Sequence, residues 1–350
     1  MSASRRSRSN ASRCTSSCVA RSAYADVRSE CKLPPTIDRA LILTAGLGTR
    51  LRPLTDVRAK PAIPVAGEPM IRRIVRWLVS RGVSDLVLNL HHLPATLTAV
   101  VGDGSDLGAR VRYSWEQPRV LGSAGGPRLA LPLVIDYRDY RDSRDRASDT
   151  FFIINGDTLT DVDLGAIAGA HAASNACVTL ALVPNQDFER YGGVALDAEG
   201  RVSGFVRRGP AAKGSYHFIG VQIVHASAFA PLTTGEAANS IGGVYDALMT
   251  ARPGSVRGFV CDAEFLDVGT IDDYWRTSRV FAAREGRAGS SVGLRARIHP
   301  SARIVDSILW DDVEVGADAM IEECIVTDGA TIAAGTRHHR RVITHGGSGD

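Results

Sequence analysis

The sequence predicts an α/β protein with a Rossmann-like, mainly parallel sheet, followed by a short C-terminal parallel β-helix. Two observations support this prediction. Short apolar segments typical of buried strands alternate with segments of helical spacing between residues 40 and 183. Beyond residue 292, aliphatic side chains instead recur every six residues, as at Val313, Ala319 and Ile325. This period is typical of a parallel β-helix, because each face of a coil places one aliphatic side chain inward.

The predicted elements of the sheet follow in order along the chain. The apolar run at residues 40–43 precedes a glycine-rich turn, which is typical of a buried parallel strand. Residues 70–81 carry apolar side chains at helical spacing, and Gly82 predicts the end of that helix. Strands that alternate with helices favour a mainly parallel sheet. The further predicted strands are residues 86–90, 111–115, 151–154 and 178–183.

The same patterns divide the chain into four parts. Residues 1–37 are rich in Ser, Arg and Ala without a sustained period, which predicts a disordered tail. Residues 38–288 form the main domain and residues 289–337 the β-helix, with a flexible tail at 338–350. Because only about two coils fit the β-helix segment, we expect it to pack on the main domain or on another subunit.

Two further segments are distinguished by their composition and have no hydrophobic period. In the segment 136–149 acids and bases alternate without an apolar face, which predicts a solvated surface insertion and gives no support to a docking loop. The Arg- and Ser-rich start of the chain resembles an organellar transit peptide. Asp26 and Glu30 favour a loose tail or a mis-assigned start codon instead.

Composition and charge argue against several classes of protein. The net charge of +3 is too small to indicate nucleic-acid binding. No apolar run is long enough to cross a membrane, and the N-terminus lacks the apolar core of a secretory signal. The six cysteines include no Cys-x-x-Cys pair, which disfavours a zinc or redox site. We therefore expect a cytoplasmic protein with free thiols.

A glycine-rich loop with two basic side chains follows the first predicted strand. Gly46 and Gly48 allow the backbone to turn sharply and to bring its N–H groups against an anion. Arg50 offers a planar fork for phosphate oxygens, and Lys60 adds a second positive charge. The loop therefore predicts a phosphate-binding site at the end of that strand.

Three well-known phosphate-binding motifs do not match this loop. The dinucleotide fingerprint needs a third glycine where Leu51 stands, and Pro53 interrupts the helix that should follow. The Walker motif, with its Gly-Lys-Ser/Thr, does not occur in the loop. The His-Arg-Asp and Asp-Phe-Gly motifs of protein kinases do not follow it either. A bare Gly-x-Gly is also consistent with a simple strand-to-helix turn, whereas the whole string of residues 45–61 is far more specific.

The loop closely resembles the signature of the sugar nucleotidyltransferases, in the string Gly46-Leu47-Gly48-Thr49-Arg50-Leu51-Arg52-Pro53-Leu54-Thr55 with Lys60-Pro61 behind it. That family includes mannose-1-phosphate guanylyltransferases, glucose-1-phosphate thymidylyltransferases and N-acetylmuramate-1-phosphate uridylyltransferases. The resemblance covers about residues 39–280 and implies the nucleotide-diphospho-sugar transferase fold, with a left-handed β-helix behind it. It also implies that a nucleoside triphosphate (NTP) and a sugar 1-phosphate react to give a nucleotide sugar and pyrophosphate.

The resemblance also implies roles for individual residues of the loop. Arg50 would hold the departing pyrophosphate, and Lys60 would lie beside the α-phosphate or the sugar phosphate. Both are therefore expected to be catalytic. The residues expected to wrap the triphosphate are Ala45, Gly46, Gly48 and Thr49.

Two aspartates follow predicted or aliphatic strands. Asp157 stands in Asn155-Gly156-Asp157, and Asp267 stands in Leu266-Asp267-Val268-Gly269-Thr270. Carboxylates at the carboxyl ends of parallel strands lie where open α/β sheets bind ligands, and their oxygens suit Mg²⁺. Each aspartate alone is equally consistent with a turn or cap residue. In the family both motifs recur and their aspartates chelate Mg²⁺, so the resemblance implies this cofactor and a catalytic role for Asp157.

Further matches concern the nucleobase and the sugar. The segment Leu121-Gly122-Ser123-Ala124-Gly125-Gly126 resembles the family's nucleobase segment, which implies that Gly122 and Ser123 lie at the base. Glu116, just before it, either contacts the base or caps a turn. The resemblance assigns the sugar phosphate to Gly193, Arg208 and Gly220.

Two adjacent positions depart from the family pattern on the sugar side. Where the family has a glutamate that accepts a hydrogen bond from a sugar hydroxyl, this chain has Arg207, and a guanidinium cannot accept one. Arg208 replaces the family's lysine and can still bind phosphate. The identity of the sugar is therefore left open by these residues.

Several functions remain to be compared. The β-helix resembles that of the mannose-1-phosphate guanylyltransferase branch, which favours that activity over uridylyl or thymidylyl transfer to another sugar 1-phosphate. Arg207 motivates a catalytically silent nucleotide-sugar-binding subunit, against which the intact basic and acidic site residues argue. A hexapeptide acyltransferase is disfavoured because two coils are too few. The expected partners are an NTP and a sugar 1-phosphate, without nucleic acid or membrane, and a homo-oligomer through the β-helix is one option.

Overall fold

The structure is a computed structural model that describes residues 37–135, 149–287 and 289–349, the last three of these by backbone alone. The predicted tail at 1–37 and the charged insertion at 136–149 lie almost wholly outside the described residues. Among the described residues, no helix combines the length and the apolar character that crossing a bilayer requires.

The described residues between 39 and 284 form the sheet and the helices around it. The helices are α1 (Leu54–Val57), α2 (Met70–Ser80), α3 (Pro94–Val101), α4 (Gly122–Val134), α5 (Leu164–Ala172), α6 (Tyr245–Ala251) and α7 (Ile271–Arg284). The strands are β1 (Arg39–Leu43), β2 (Pro64–Val65), β3 (Glu68–Pro69), β4 (Asp85–Leu90), β5 (Arg110–Trp115), β6 (Thr150–Asn155), β7 (Thr158–Thr160), β8 (Val178–Pro184), β9 (Gly193–Leu196), β10 (Val202–Val206), β11 (Tyr216–His225), β12 (Val256–Val260) and β13 (Phe265–Asp267). All five strands predicted from the sequence are present.

One mixed sheet dominates this region. Its strands run in the order β10-β9-β11-β6-β1-β4-β5, and β8 pairs with β11 and β12. The neighbours β6, β1, β4 and β5 are mutually parallel, whereas β11 runs antiparallel to β6, β8 and β9. The carboxyl ends of the four parallel strands therefore meet at one edge, where such sheets bind ligands.

The helix predicted at residues 70–81 is α2. Its apolar stripe is buried, and Gly82 follows it with a φ of 84°, a left-handed conformation that costs glycine little. Burying each large aliphatic side chain of the stripe contributes about 1.5–3 kcal/mol, so the stripe anchors the helix to the sheet. The buried residues are Met70, Ile71, Ile74, Val75 and Leu78.

A parallel β-helix with three faces forms the C-terminal part. Strands on each face pair in parallel with partners 17 residues away, so each coil spans 17 residues. The strands are β14 (Ser291–Val292), β15 (Arg297–Ile298), β16 (Arg303–Val305), β17 (Ile308–Leu309), β18 (Glu314–Val315), β19 (Met320–Glu322), β20 (Ile325–Val326), β21 (Thr331–Ile332), β22 (Arg337–His339), β23 (Val342–Thr344) and β24 (Gly347–Gly349).

The β-helix is longer than the sequence suggested. Three complete coils are present among the described residues instead of about two, and β23 adds a further parallel strand to the first face. The expectation of a flexible tail from residue 338 is therefore wrong for 338–349, which include part of β22 and all of β23 and β24. The hydrophobic period does not reveal β22, because His338 stands where the adjacent coil has the aliphatic Ile321.

The β-helix packs against the main domain through a shared apolar cluster. Ile308, Trp310 and Ile325 belong to the same buried cluster as α2 and the sheet face beneath it. Trp310 is fully buried, and its indole N–H donates a hydrogen bond of 2.9 Å to Tyr274 Oη in α7. We expected the β-helix to pack on the main domain or on another subunit. The structure shows it packed on the main domain of its own chain.

Candidate active site

The glycine-rich loop leaves β1 and turns sharply before α1. Gly48 has a φ of 61°, and a Cβ at this position would lie 2.7 Å from Thr55 Cγ2 and 3.3 Å from Lys60 Cβ. Thr55 also donates a hydrogen bond of 3.0 Å to the carbonyl of Gly48. The absence of a side chain at Gly48 therefore lets the loop fold back onto the segment that carries Lys60.

A cleft of about 370 Å³ opens at the carboxyl edge of the parallel strands. The structure brings most of the predicted site residues together around it, including the loop, two acidic residues and the start of α4. Asn89 and Asn155, which the sequence analysis did not assign, also line it. The predicted residues that line the cleft are Ala45, Gly46, Gly48, Thr49, Arg50, Lys60, Glu116, Gly122, Ser123 and Asp157.

A buried hydrogen-bond network joins three strand ends beneath the cleft. Thr44 N–H donates to Asn89 Oδ1 over 2.6 Å, and Asn89 Nδ2 donates to Glu116 Oε1 over 2.7 Å. The second carboxylate oxygen of Glu116 accepts the N–H of Leu121 over 2.6 Å. Both oxygens of Glu116 are thus engaged within the protein, which supports its role as a turn cap. Gly126 is needed beside it, because a Cβ there would lie 2.2 Å from Oε1.

Asn89 could have been found from the sequence. It is the one polar residue within the apolar run Leu86-Val87-Leu88-Asn89-Leu90, and it is 3% exposed. A buried amide costs free energy unless it is hydrogen-bonded. A polar residue in such an apolar run therefore indicates a buried hydrogen-bond network.

The segment predicted to lie at the nucleobase begins α4. Gly122 has a φ of 78°, and a Cβ there would lie 2.7 Å from the carbonyl of Ala238. Ser123 Oγ accepts the N–H of Ser240 over 2.9 Å. The segment around 238–240 therefore holds the start of α4 in place, a contact that the sequence analysis did not predict.

Lys60 and Asp157 meet in the cleft, although 97 residues separate them. The distance from Lys60 Nζ to Asp157 Oδ2 is 2.5 Å, and their side chains are 10% and 36% exposed. The lysine is therefore held largely out of water beside a carboxylate that remains accessible from the cleft. A lysine with this position can neutralise an incoming phosphate.

Asp267 lies next to this pair through strand pairing. The antiparallel strands β7 and β13 place Asp267 opposite Thr158, the residue after Asp157. Arg190 Nη2 lies 2.8 Å from Asp267 Oδ2 and 2.5 Å from Asp273 Oδ2. Tyr191 Oη donates a further hydrogen bond of 3.3 Å to Asp267.

Arg190 and Asp273 hold each other charged. Burial by itself would raise the pKa of Asp273, but hydrogen bonds from Arg190 and Thr270 outweigh it and the pKa is lowered. Burial would likewise lower the pKa of Arg190, but the hydrogen bonds to Asp273 and Asp267 and the charges of Asp273 and Tyr191 together outweigh it, so that pKa is raised. Burial, followed by the charge of Asp267, raises the pKa of Tyr191 to about 12, so its hydroxyl stays a donor.

The residues predicted for the sugar phosphate are more scattered. Gly220 packs against the site, because a Cβ there would lie 2.7 Å from Thr158 Oγ1 and 2.8 Å from Asn155 Nδ2. Gly193 is buried at the start of β9, where a Cβ would clash with Ser215. Arg208 is exposed just after β10 and is not among the residues that line the cleft, and neither is Asp267.

A magnesium ion at this cleft would have to share its ligands with the substrates. Within the described residues, no three acidic, histidine or cysteine side chains converge into a metal site of their own. Mg²⁺ commonly binds through one or two carboxylates and completes its coordination with substrate phosphates and water. Asp157 and Asp267 are the carboxylates predicted for such a site, and one oxygen of each contacts a cation of the protein.

Comparisons with known proteins agree with this geometry. Residues 39–284 match the family model described as nucleotidyl transferase, and residues 285–338 match the GlmU-like, C-terminal hexapeptide model. Mannose-1-phosphate guanylyltransferase of Mycobacterium tuberculosis is 28% identical over 85% of this chain and 81% of its own length. UTP–glucose-1-phosphate uridylyltransferase of Synechocystis is 27% identical over 79% of this chain and 72% of its own length.

A solved structure supports the fold. The crystal structure of HddC from Yersinia pseudotuberculosis superposes with a TM-score of 0.57 at 22% identity, over 70% of this chain and all of that one. The nucleotidyl transferase match spans the sheet, the glycine-rich loop, Lys60 and both aspartates. The chain therefore belongs to the nucleotidyl transferase family and carries a GlmU-like hexapeptide segment behind its catalytic region.

Proposed function

We propose that this protein transfers a nucleotidyl group from an NTP to a sugar 1-phosphate and releases pyrophosphate. The observation that carries the proposal is the cleft in which the glycine-rich loop, Lys60 and Asp157 meet at the carboxyl edge of the parallel strands. This arrangement offers backbone N–H groups and two basic side chains to phosphates, beside carboxylates suited to a metal ion. It provides what a transfer between two anions requires.

The reaction needs no nucleophile from the protein. A phosphate oxygen of the sugar 1-phosphate attacks the α-phosphorus of the NTP in line, and the bond from that phosphorus to the pyrophosphate oxygen breaks. The residues of the chain then act by positioning and by charge. The loop residues Ala45, Gly46, Gly48 and Thr49 hold the triphosphate. Arg50 stabilises the leaving pyrophosphate, and Lys60 offsets the charge that grows at the α-phosphate.

The family generally uses a divalent metal, and we propose Mg²⁺ with Asp157 and Asp267 as its protein ligands. When bound, such an ion neutralises phosphate oxygens and polarises the α-phosphorus for attack. Until then, Lys60 and Arg190 neutralise the same two carboxylates. Their presence keeps the acidic pair aligned when the cleft holds no substrate.

The two specificities rest on different evidence. We propose GTP and mannose 1-phosphate as the first pair, since a mannose-1-phosphate guanylyltransferase matches the chain over most of both lengths. Uridylyl transfer to a glucose phosphate is the second candidate, because a relative of that activity is nearly as similar. Gly122 and Ser123 would lie at the base, and Gly193, Arg208 and Gly220 on the sugar side. The cytoplasmic location and assembly through the β-helix stay predictions.

A grid of substrates tests the proposal. Pyrophosphate release is measured with Mg²⁺ for four nucleoside triphosphates against the 1-phosphates of mannose, glucose, heptose and N-acetylmuramate. We expect one pair to exceed the others, with GTP and mannose 1-phosphate first. No release with any pair, together with binding of a nucleotide sugar, would reject the enzyme and favour a silent nucleotide-sugar-binding subunit.

A further inference from the structure

Arg58 is a buried cation close to Lys60 in the chain, and the proposed reaction gives it no role. It follows α1, two residues before Lys60, and it is 9% exposed. Its guanidinium contacts the β-helix: Nε and Nη2 lie 2.6 and 2.7 Å from the two carboxylate oxygens of Asp328, and Nη2 lies 2.7 Å from Asp311 Oδ2. These partners stand 270 and 253 residues further along the chain.

Both carboxylates are fixed by their own coils. Asp328 Oδ1 accepts the N–H of Asp311 over 3.1 Å, and Asp311 Oδ1 accepts the N–H of Leu294 over 2.7 Å. The two aspartates are 17 residues apart and so lie one above the other on adjacent coils. Because each carboxylate is tied to a backbone N–H, the acceptors of Arg58 have little freedom of their own.

A second contact holds the other end of the same segment. The Arg58 guanidinium lies 5.4 Å from the ring centroid of Trp310, and the Trp310 indole donates to Tyr274 Oη. Tyr274 Oη in turn donates to the carbonyl of Pro64 over 2.7 Å. Residues 58–64 are thus held at both ends by groups on or bound to the β-helix, and Lys60 lies between the two ends.

The charge on Arg58 is maintained by its partners. Burial alone would lower its pKa, but hydrogen bonds to Asp328 and Asp311 more than offset that effect and the pKa is raised. Removing one partner of a buried ion pair leaves an uncompensated charge, so we expect the loss of this contact to be costly. Ala59 N–H adds a hydrogen bond of 3.0 Å to Thr96 in α3 and restricts the chain between Arg58 and Lys60.

We propose that Arg58 is a positioning residue, through which the β-helix holds Lys60 at the active-site cleft. The inference rests on the proposed function, since it assigns the purpose of the contact to the placement of Lys60. Lys60 Nζ must lie within hydrogen-bonding distance of Asp157 and of the phosphate, and a misplacement of about 1 Å can reduce turnover by about 100-fold. The hexapeptide segment then contributes to catalysis, because it fixes the position of Lys60.

The experiment uses the full chain and an unusual property of its sequence. The chain contains three lysines, Lys32, Lys60 and Lys213, so acetylation of Lys60 by N-hydroxysuccinimide acetate can be followed by mass spectrometry with exposed Lys213 as an internal reference. The test variants are Arg58→Met, the conservative Arg58→Lys, and Asp311→Asn, which leaves the Asp328 contact intact. Arg73→Met is the matched control, because the Arg73 side chain is 9% exposed, close to the 11% of the Arg58 side chain, and pairs with Glu285.

We expect Arg58→Met to lower kcat by at least about tenfold while KM for the NTP changes little, and to raise the rate of Lys60 acetylation relative to Lys213. Arg58→Lys should bring kcat and the Lys60 acetylation ratio part of the way back to wild type, since lysine keeps the charge but lacks the planar guanidinium fork. Arg73→Met should lower the melting temperature and leave both readouts at their wild-type values. Asp311→Asn should shift both readouts in the same direction by less.

An unchanged acetylation ratio in folded Arg58→Met would overturn the proposal, whatever happens to its melting temperature. If that variant does not fold, an unchanged ratio in Asp311→Asn overturns it in the same way. The acetylation ratio does not depend on turnover. A wild-type protein without turnover on any substrate pair would therefore contradict the proposed function, while the ratio would still decide whether Arg58 holds Lys60 in place.

Discussion

At the scale of single residues, the site depends on cations placed directly on carboxylates. Lys60 contacts Asp157, and Arg190 contacts Asp267, each through one carboxylate oxygen. Partly exposed pairs of this kind contribute little to the free energy of folding, because water screens them. We propose that their value is in alignment, because each pair fixes the position of its carboxylate before substrates bind.

Replacing Asp157 tests this arrangement. Asp157→Ala removes a proposed magnesium ligand and the partner of Lys60, so we expect turnover to fall by at least about 100-fold. The measurement is the rate of pyrophosphate release at saturating Mg²⁺ with the productive substrate pair. Near-normal turnover would contradict the metal assignment.

A neighbouring aspartate provides the control. Asp163 caps α5, where its Oδ1 accepts the N–H groups of Gly165 and Ala166. Asp163→Ala should cost about 0.5–2 kcal/mol of stability through the lost cap and leave turnover unchanged. A loss of turnover in both variants would show that the effect of Asp157→Ala is not specific to the cleft.

At the scale of elements, two short pieces of backbone bring the charged groups together. The loop between β1 and α1 folds back at Gly48, and the ladder of β7 with β13 places Asp267 opposite Thr158. Leu51 in the loop and Leu159 in β7 are buried in the main core and anchor the two pieces. The buried network through Asn89 and Glu116 also holds Thr44, just before the loop.

Gly48→Ala tests the turn of the loop. A left-handed φ costs a residue with a side chain about 1–2 kcal/mol, and the new Cβ would press on Thr55 and approach Lys60. We expect a loss of that size in urea unfolding, together with a lower kcat because Lys60 is displaced. Gly46→Ala is the control for stability, since a Cβ at Gly46 meets nothing within 4 Å. Equal stability of the two variants would contradict the argument.

At the scale of the whole molecule, the β-helix and the main domain share one buried core. Trp310 and Tyr274 are both fully buried where the two parts meet, with their rings 6.4 Å apart in an edge-to-face arrangement. The ion pairs of Arg58 cross the same boundary. Apolar burial and directed polar contacts therefore couple the two parts, and we expect them to unfold together.

Trp310→Ala tests that coupling. Truncating a fully buried tryptophan should cost about 3–5 kcal/mol, and the loss should appear in a single unfolding transition that includes the sheet. Unfolding in guanidinium, followed by circular dichroism and by activity, measures the loss of stability and the number of transitions. Val292→Ala is the control, because Val292 is 47% exposed on the same β-helix and should change stability by less than about 0.5 kcal/mol. Two separate transitions in the wild type would contradict the shared core.

Much of the local structure followed from the sequence alone. Five strands, the helix α2 and the turn at Gly48 were predictable because each depends on hydrophobic period or on the conformational freedom of glycine, which neighbouring residues determine. The positions of the glycine-rich loop after β1 and of Asp157 after β6 were predictable for the same reason, and ligand binding at these strand ends stays a prediction. The third coil was missed where His338 broke the aliphatic period.

The contacts between distant parts were decided only by the tertiary structure. Sequence analysis identified Lys60 and Asp157 as separate residues, but the packing of β1 against β6 brings them within 2.5 Å. The pairing of Arg190 with Asp267 and of Arg58 with Asp328 has no local signal, because these groups are 77 and 270 residues apart. A period reports which face of an element is buried, whereas the partner of a charged side chain depends on how whole elements pack.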